Sequence, residues 1–203
     1  MGFGLCVLGY LLTVLDTFYA GIIGWPLLAF GFFRLSRTEK SFAFAGAMSV
    51  LCTVYSAADI LVLLKVIDGE GALYFALHLA YIALGACIHL VYLLSVRSLA
   101  TRGGDMNIAL RALIWLGFSE LYYICSAVSA VTVFGADALP YYAQVLGNVV
   151  LIMKYAIGFT NLWFLYGCYA KITTAERIEK DEAMLKEIAE KEAAKRRRRK
   201  EDK

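Results

Sequence analysis

The stretch LCVLGYLLTVLDTFYAGIIGWPLLAFGFF, residues 5–33, carries one charged side chain, Asp16, and RLSRTEK, residues 34–40, follows it with four. An apolar run of that length, closed by bases, is the signature of a bilayer-crossing helix, which needs about 20 mostly apolar residues. Splitting the run at Gly24-Trp25-Pro26 leaves halves shorter than the ~17 residues a span requires. The expectation is therefore one tilted helix kinked at Pro26. No Lys or Arg precedes the run, so a cleaved signal peptide is not expected.

The same pattern repeats along the chain. Candidate spans cover 5–33, 42–66, 72–96, 109–134 and 141–170. Asp68-Gly69-Glu70-Gly71 forms a turn between the second and third, and Gly103-Gly104 breaks the chain before the fourth. Pro140 closes the break before the fifth. Of the 203 residues, 61% are hydrophobic and 18% charged, against about 45–50% and about 25% in soluble domains. That balance excludes an ordinary soluble core and a disordered chain. The five cysteines are widely spaced in apolar surroundings, so neither a disulfide framework nor a zinc site is expected.

Orientation follows from where the bases fall, because Lys and Arg accumulate in cytoplasmic loops. Arg34, Arg37 and Lys40 lie in one loop, Arg97, Arg102 and Arg111 in the next but one, and the rest follow from Lys171 onward. The alternate loops, 67–71 and 135–140, hold Asp68, Glu70 and Asp137 and no base. Lys65 and Lys154 fall within candidate spans. The fold class expected is an all-α polytopic membrane bundle of five transmembrane helices with the N-terminus outside and the C-terminus in the cytoplasm. A four-span or six-span arrangement is expected to break the alternation. No Asn-x-Ser/Thr acceptor occurs, which favours a plasma (inner) membrane of bacterial type.

Two domains are expected, a transmembrane part over 1–172 and a charged cytoplasmic helix over 173–203. Thr173 to Glu176 reads as a capping box. Glu176–Lys180, Glu182–Lys186, Glu187–Lys191 and Glu192–Arg196 are i,i+4 pairs in the favourable order. The run Lys195, Arg196, Arg197, Arg198, Arg199 and Lys200 suits an anionic lipid leaflet or an acidic partner. Nucleic acid is the less expected partner, and a homo-oligomer stays open.

Ionisable groups within a span cost about 2.5–3.5 kcal/mol on insertion scales and mark candidate sites. Asp16, Asp59, His78, Glu120 and Lys154 form the candidate intramembrane centre, with His89, Asn148 and Asn161 as secondary polar groups. By depth, Lys154 is expected to pair with Glu120 or Asp16, and His78 with Asp59. Helical spacing groups them into stripes: Gly9-Thr13-Asp16, Ser49-Cys52-Ser56-Asp59, His78-Tyr81-Gly85-His89-Tyr92 and Lys154-Gly158-Asn161. Such stripes also serve as packing seams between membrane helices.

Both histidines share one helix, so a bis-histidine haem is not expected, and no cofactor or metal is. Walker A, HExxH, GxSxG and GxGxxG motifs are missing, so an enzyme is not expected. The leading functional reading is a membrane accessory, sensor or scaffold with a cytoplasmic contact helix. The alternative is a small proton- or ion-coupled transporter or channel subunit built on the buried charges.

Overall fold

The structure, a computed structural model, describes residues 2–16, 19–67, 69, 71–134, 140–172 and 183–188. Among these every regular element is a helix. Six make up the first unit, Met1–Ile172: α1 (Gly2–Val14), α2 (Gly21–Leu35), α3 (Phe42–Leu63), α4 (Ala72–Arg102), α5 (Met106–Phe134) and α6 (Pro140–Lys171). In the second unit, Thr173–Lys203, residues 183–188 are helical and exposed. The Thr173 capping box and the bases Lys195 to Lys200 lie outside the described residues.

Helices α3 to α6 are long and apolar enough to cross a membrane. The first apolar stretch departs from expectation. It does not form one helix kinked at Pro26 but breaks between Val14 and Gly21 into two. At 1.5 Å per residue these helices reach only about 20 and 22 Å, short of the ~30 Å hydrocarbon core. Pro26 lies inside α2 without ending it.

The break has a local cause. Asp16 Oδ1 accepts the backbone N–H of Gly21 at 3.0 Å, supplying a carboxylate to the start of α2, where free N–H groups favour negative charge. Tyr19 adopts φ 57°, and its N–H donates to the Asp16 carbonyl at 2.7 Å. This left-handed turn reverses the chain.

Glycines then let the two helices close into an antiparallel hairpin. A methyl group on Gly9 would sit 2.7 Å from the backbone nitrogen of Leu28, and one on Gly31 would sit 3.0 Å from that of Cys6. Backbones this close need residues without Cβ, the same small-residue rule that governs membrane helix packing.

The hairpin completes a ring. α2 packs on α3, α3 on α4, α4 on α5, α5 on α6, and α6 on α1. One end of the bundle gathers the bases. There Glu39 accepts hydrogen bonds from Ser41 at 3.1 Å and Ser98 at 3.5 Å and forms an ion pair with Arg102. Ser41 and Ser95 hydroxyls meet at 2.7 Å. α4 ends at this level, with Gly104 at φ 78° closing the turn and Asp105 Oδ1 capping α5 through Ile108 N–H at 3.0 Å. Near this basic end Phe32 stacks on Phe42 and Tyr92, with ring centroids 6.0 and 5.9 Å apart, amid buried Leu28, Leu35 and Val96.

Burial thins toward the other end. In α3 the buried residues run from Phe42 to Ser56 and stop there. In α4 they begin only at Ile82. In α6 Asn161, Phe164, Leu165 and Cys168 are buried, but Ala143 alone is buried among the described residues before Gly158. Lys65, expected inside a span, instead follows α3 in an exposed turn at φ 58°.

Candidate functional site

The hairpin fills only part of the ring's height, and beyond its tip lies a cavity of about 930 Å³. Ligand pockets typically span about 300–1,000 Å³. Asp16 and Trp25 form the floor, at the turn and on the first part of α2. The walls carry Asp59 on α3, His78 on α4 and Lys154 on α6. Phe75 and Phe134, stacked with centroids 4.1 Å apart, line the end distant from the hairpin.

Asp59 and His78 are linked, but through tyrosines rather than directly. Tyr74 donates its hydroxyl hydrogen to Asp59 Oδ1. Tyr55 Oη lies 3.3 Å from Tyr74 Oη and 2.6 Å from His78 Nδ1. The Tyr55 ring stacks on Tyr81 at 4.2 Å and 16°, and Trp25 meets Tyr81 edge-on at 5.8 Å. The hydroxyl of Tyr81 reaches Asp16 Oδ2 at 3.5 Å. Aromatic rings thus hold both carboxylates of the cavity in place.

Lys154 is half-buried on the cavity wall. It lies close enough to act electrostatically on Asp16. The expected contact pairs do not form: among the described residues Lys154 has no ion pair within 4 Å with Asp16 or with Glu120. Glu120 lies outside the cavity lining, half-buried, with Oε1 enclosed and without a hydrogen-bond partner. The reason is angular. Ser119 is fully buried toward the bundle interior, and one residue on a helix turns the side chain by about 100° away from it. Asn148 is exposed on α6 and also lies outside the cavity.

His89 and Asn161 belong to a second network, packed between the hairpin and α4 to α6. Asn161 Nδ2 donates to Tyr10 Oη at 3.3 Å and to Ser119 Oγ at 2.9 Å. Tyr10 Oη lies 2.8 Å from His89 Nε2, and His89 Nδ1 lies 2.9 Å from the Gly85 carbonyl. A carbonyl only accepts, so Nδ1 carries the proton and Nε2 takes one from Tyr10. Tyr123 Oη also lies 3.0 Å from Nδ1. It approaches because Gly85 has no side chain: a methyl group there would meet the Tyr123 ring at 2.7 Å. This arrangement ties four helices together as a polar seam, with Asn161 Oδ1 buried and left without a partner. A void of about 60 Å³ lies between it and Lys154.

Among the described residues no group of three His, Cys, Asp or Glu side chains is placed to hold a metal. The tyrosines Tyr10, Tyr55, Tyr74, Tyr122 and Tyr123 were not singled out from the sequence. The available signal was spacing: Tyr55 stands one helical turn before Asp59, and Tyr74 one turn before His78.

Comparison with protein-family models, with curated proteins and with solved structures finds no match to this chain.

Proposed function

We propose that the chain is a non-enzymatic membrane sensor or accessory protein that binds a small polar-headed ligand in the cavity above the hairpin. The cavity itself is the observation that carries this reading. It is large enough for a ligand, lined by charged and hydroxyl groups, and floored by the hairpin tip. In this reading α3 to α6 cross the membrane and the hairpin is re-entrant. Non-crossing backbone is tolerated at membrane depth where protein surrounds it.

The basic end faces the cytoplasm in this proposal, supported by Arg34, Arg37, Lys40, Arg97, Arg102 and Lys171. Four spans preserve the alternation of basic and acidic loops after all, because a hairpin enters and leaves on one side. The start of α1 then faces the cytoplasm rather than the outside. A plasma membrane fits the absence of glycosylation acceptors. Lys195 to Lys200 provide the contact with anionic lipid or an acidic partner.

Thiol accessibility tests the cavity. In a background without the five native cysteines, Ser129→Cys, buried but on the cavity wall, is expected to react through the cavity with a membrane-impermeant maleimide added outside intact cells. Ser95→Cys, buried near the basic end, is expected to stay unreacted. An unreactive Ser129→Cys would overturn the reading.

A transporter is the second reading. The void on the far side of Lys154, reaching Thr13 and His89, favours it by continuing the line of polar groups toward the basic end. Proton or cation flux in proteoliposomes that falls at least tenfold in Lys154→Met would select it over the sensor.

A further inference from the structure

We infer that the cavity takes the headgroup of an aminophospholipid, which enters sideways from the adjacent leaflet between α3 and α6. This rests on the cavity being a ligand site and names its occupant.

The opening follows from the order of packing. α1 and α2 are the elements that stand between α6 and α3 in the ring. They end at Val14 and begin at Gly21, so above that level no described helix separates α3 from α6. Both posts of this gap lose their covered residues there. α3 has no buried residue beyond Ser56, and α6 has only Ala143 among the described residues before Gly158. On the α6 side the apolar Val150 lines the cavity one turn before Lys154. In a membrane such a gap faces lipid, not water.

The posts carry opposite charges at equal height. Asp59 is seventeen residues from Phe42, and Lys154 seventeen residues from Lys171. Each therefore stands about 25 Å along its helix from the basic end. A ligand bridging them needs a cationic and an anionic group on one small head. Lys154, without an ion pair within 4 Å among the described residues, receives the phosphate. Asp59 and Asp16 receive the cation.

The cation is a primary ammonium rather than a quaternary one. The groups placed to receive it are the carboxylates of Asp59 and Asp16 on the cavity lining. Carboxylates suit an ammonium with three N–H donors.

Native mass spectrometry tests this with the full chain reconstituted in vesicles of equal phosphatidylethanolamine, phosphatidylglycerol and phosphatidylcholine, then released into detergent. The wild-type chain is expected to retain one phosphatidylethanolamine, at least fivefold over either other lipid. Asp59→Asn and Lys154→Met are each expected to cut that retention at least fivefold. Asn148→Ala, on an exposed position outside the cavity, is expected to leave it unchanged. Near-wild-type helical circular dichroism in each variant separates lost binding from lost fold, and Lys154→Arg, which keeps the charge, is expected to restore retention. Equal retention of the three lipids, or unchanged retention in both charge variants, would overturn the inference. So would displacement of the lipid by millimolar water-soluble phosphoethanolamine, which would place the ligand in the aqueous phase. If Ser129→Cys is accessible while no lipid is retained, only the occupant is wrong. If it is also inaccessible, the cavity reading fails with it.

Discussion

The two halves of the bundle solve opposite problems with the same residue types. Below the hairpin tip, Asn161, Tyr10, Ser119, His89 and the Gly85 carbonyl form a buried hydrogen-bonded relay, while Asn161 Oδ1 and Tyr92 Oη stay without a partner. Above it, Asp16, Asp59, His78 and Lys154 line open space. The lower half uses hydrogen bonds between helices for cohesion. The upper half leaves charge available, which a bundle selected only for packing has no reason to do. Where the hairpin stops, the packed seam gives way to the open cavity.

The contrast predicts a gradient of stability effects. The largest is expected at the hairpin. Gly9→Leu drives a side chain into the α2 backbone beside Leu28, where the neighbour cannot yield. A loss of about 3 kcal/mol or more is expected, read as a collapse of the folded fraction in detergent unfolding. Next is the lower relay. Tyr10→Phe strips His89 Nε2 of its partner and leaves Asn161 one bond fewer. It is expected to cost about 1–3 kcal/mol in the same assay.

The cavity half is expected to respond weakly. Asp59→Asn still accepts from Tyr74, so a loss below about 1 kcal/mol is expected, despite its effect on ligand retention. A larger loss than that of Tyr10→Phe would erase the distinction between the halves. The smallest effect belongs to the exposed clasp at the basic end. Arg102→Gln removes the ion pair with Glu39, whose arginine is 60% exposed, and is expected to change stability by about 0–1 kcal/mol. High salt is expected to mimic the substitution.

Much of this was legible before any coordinates. The acidic-glycine segment after α3, the break at Gly103-Gly104 and the basic loops locate α3, α5 and α6 to within three residues and the start of α4, which runs six residues past its expected end, because charge and glycine are local signals. Helical spacing also placed Asp16, Asp59, His78 and Lys154 on inward stripes. The hairpin was not legible, for a specific reason. Requiring every apolar stretch to cross the bilayer excludes two short helices, yet a pair packed inside a ring need not cross. Pro26 drew attention as the point of bending, while the reversal came from Asp16 and Tyr19, ordinary residues whose role is set by tertiary capping. Glu120 stands off the cavity lining, since depth along a helix says nothing about azimuth. The tyrosine links between Asp59 and His78 depend on side chains from α3 and α4 meeting, which no single-helix pattern contains.

The re-entrant hairpin is the claim on which the cavity, its floor and its side opening all depend. Double electron–electron resonance between spin labels at the exposed positions Leu8 and Phe30 tests it most directly. Antiparallel helices packed about 8–10 Å apart put these labels within roughly 20 Å of each other. A single continuous helix over the same stretch would hold them about 33 Å apart at 1.5 Å per residue, and that distance would contradict the account.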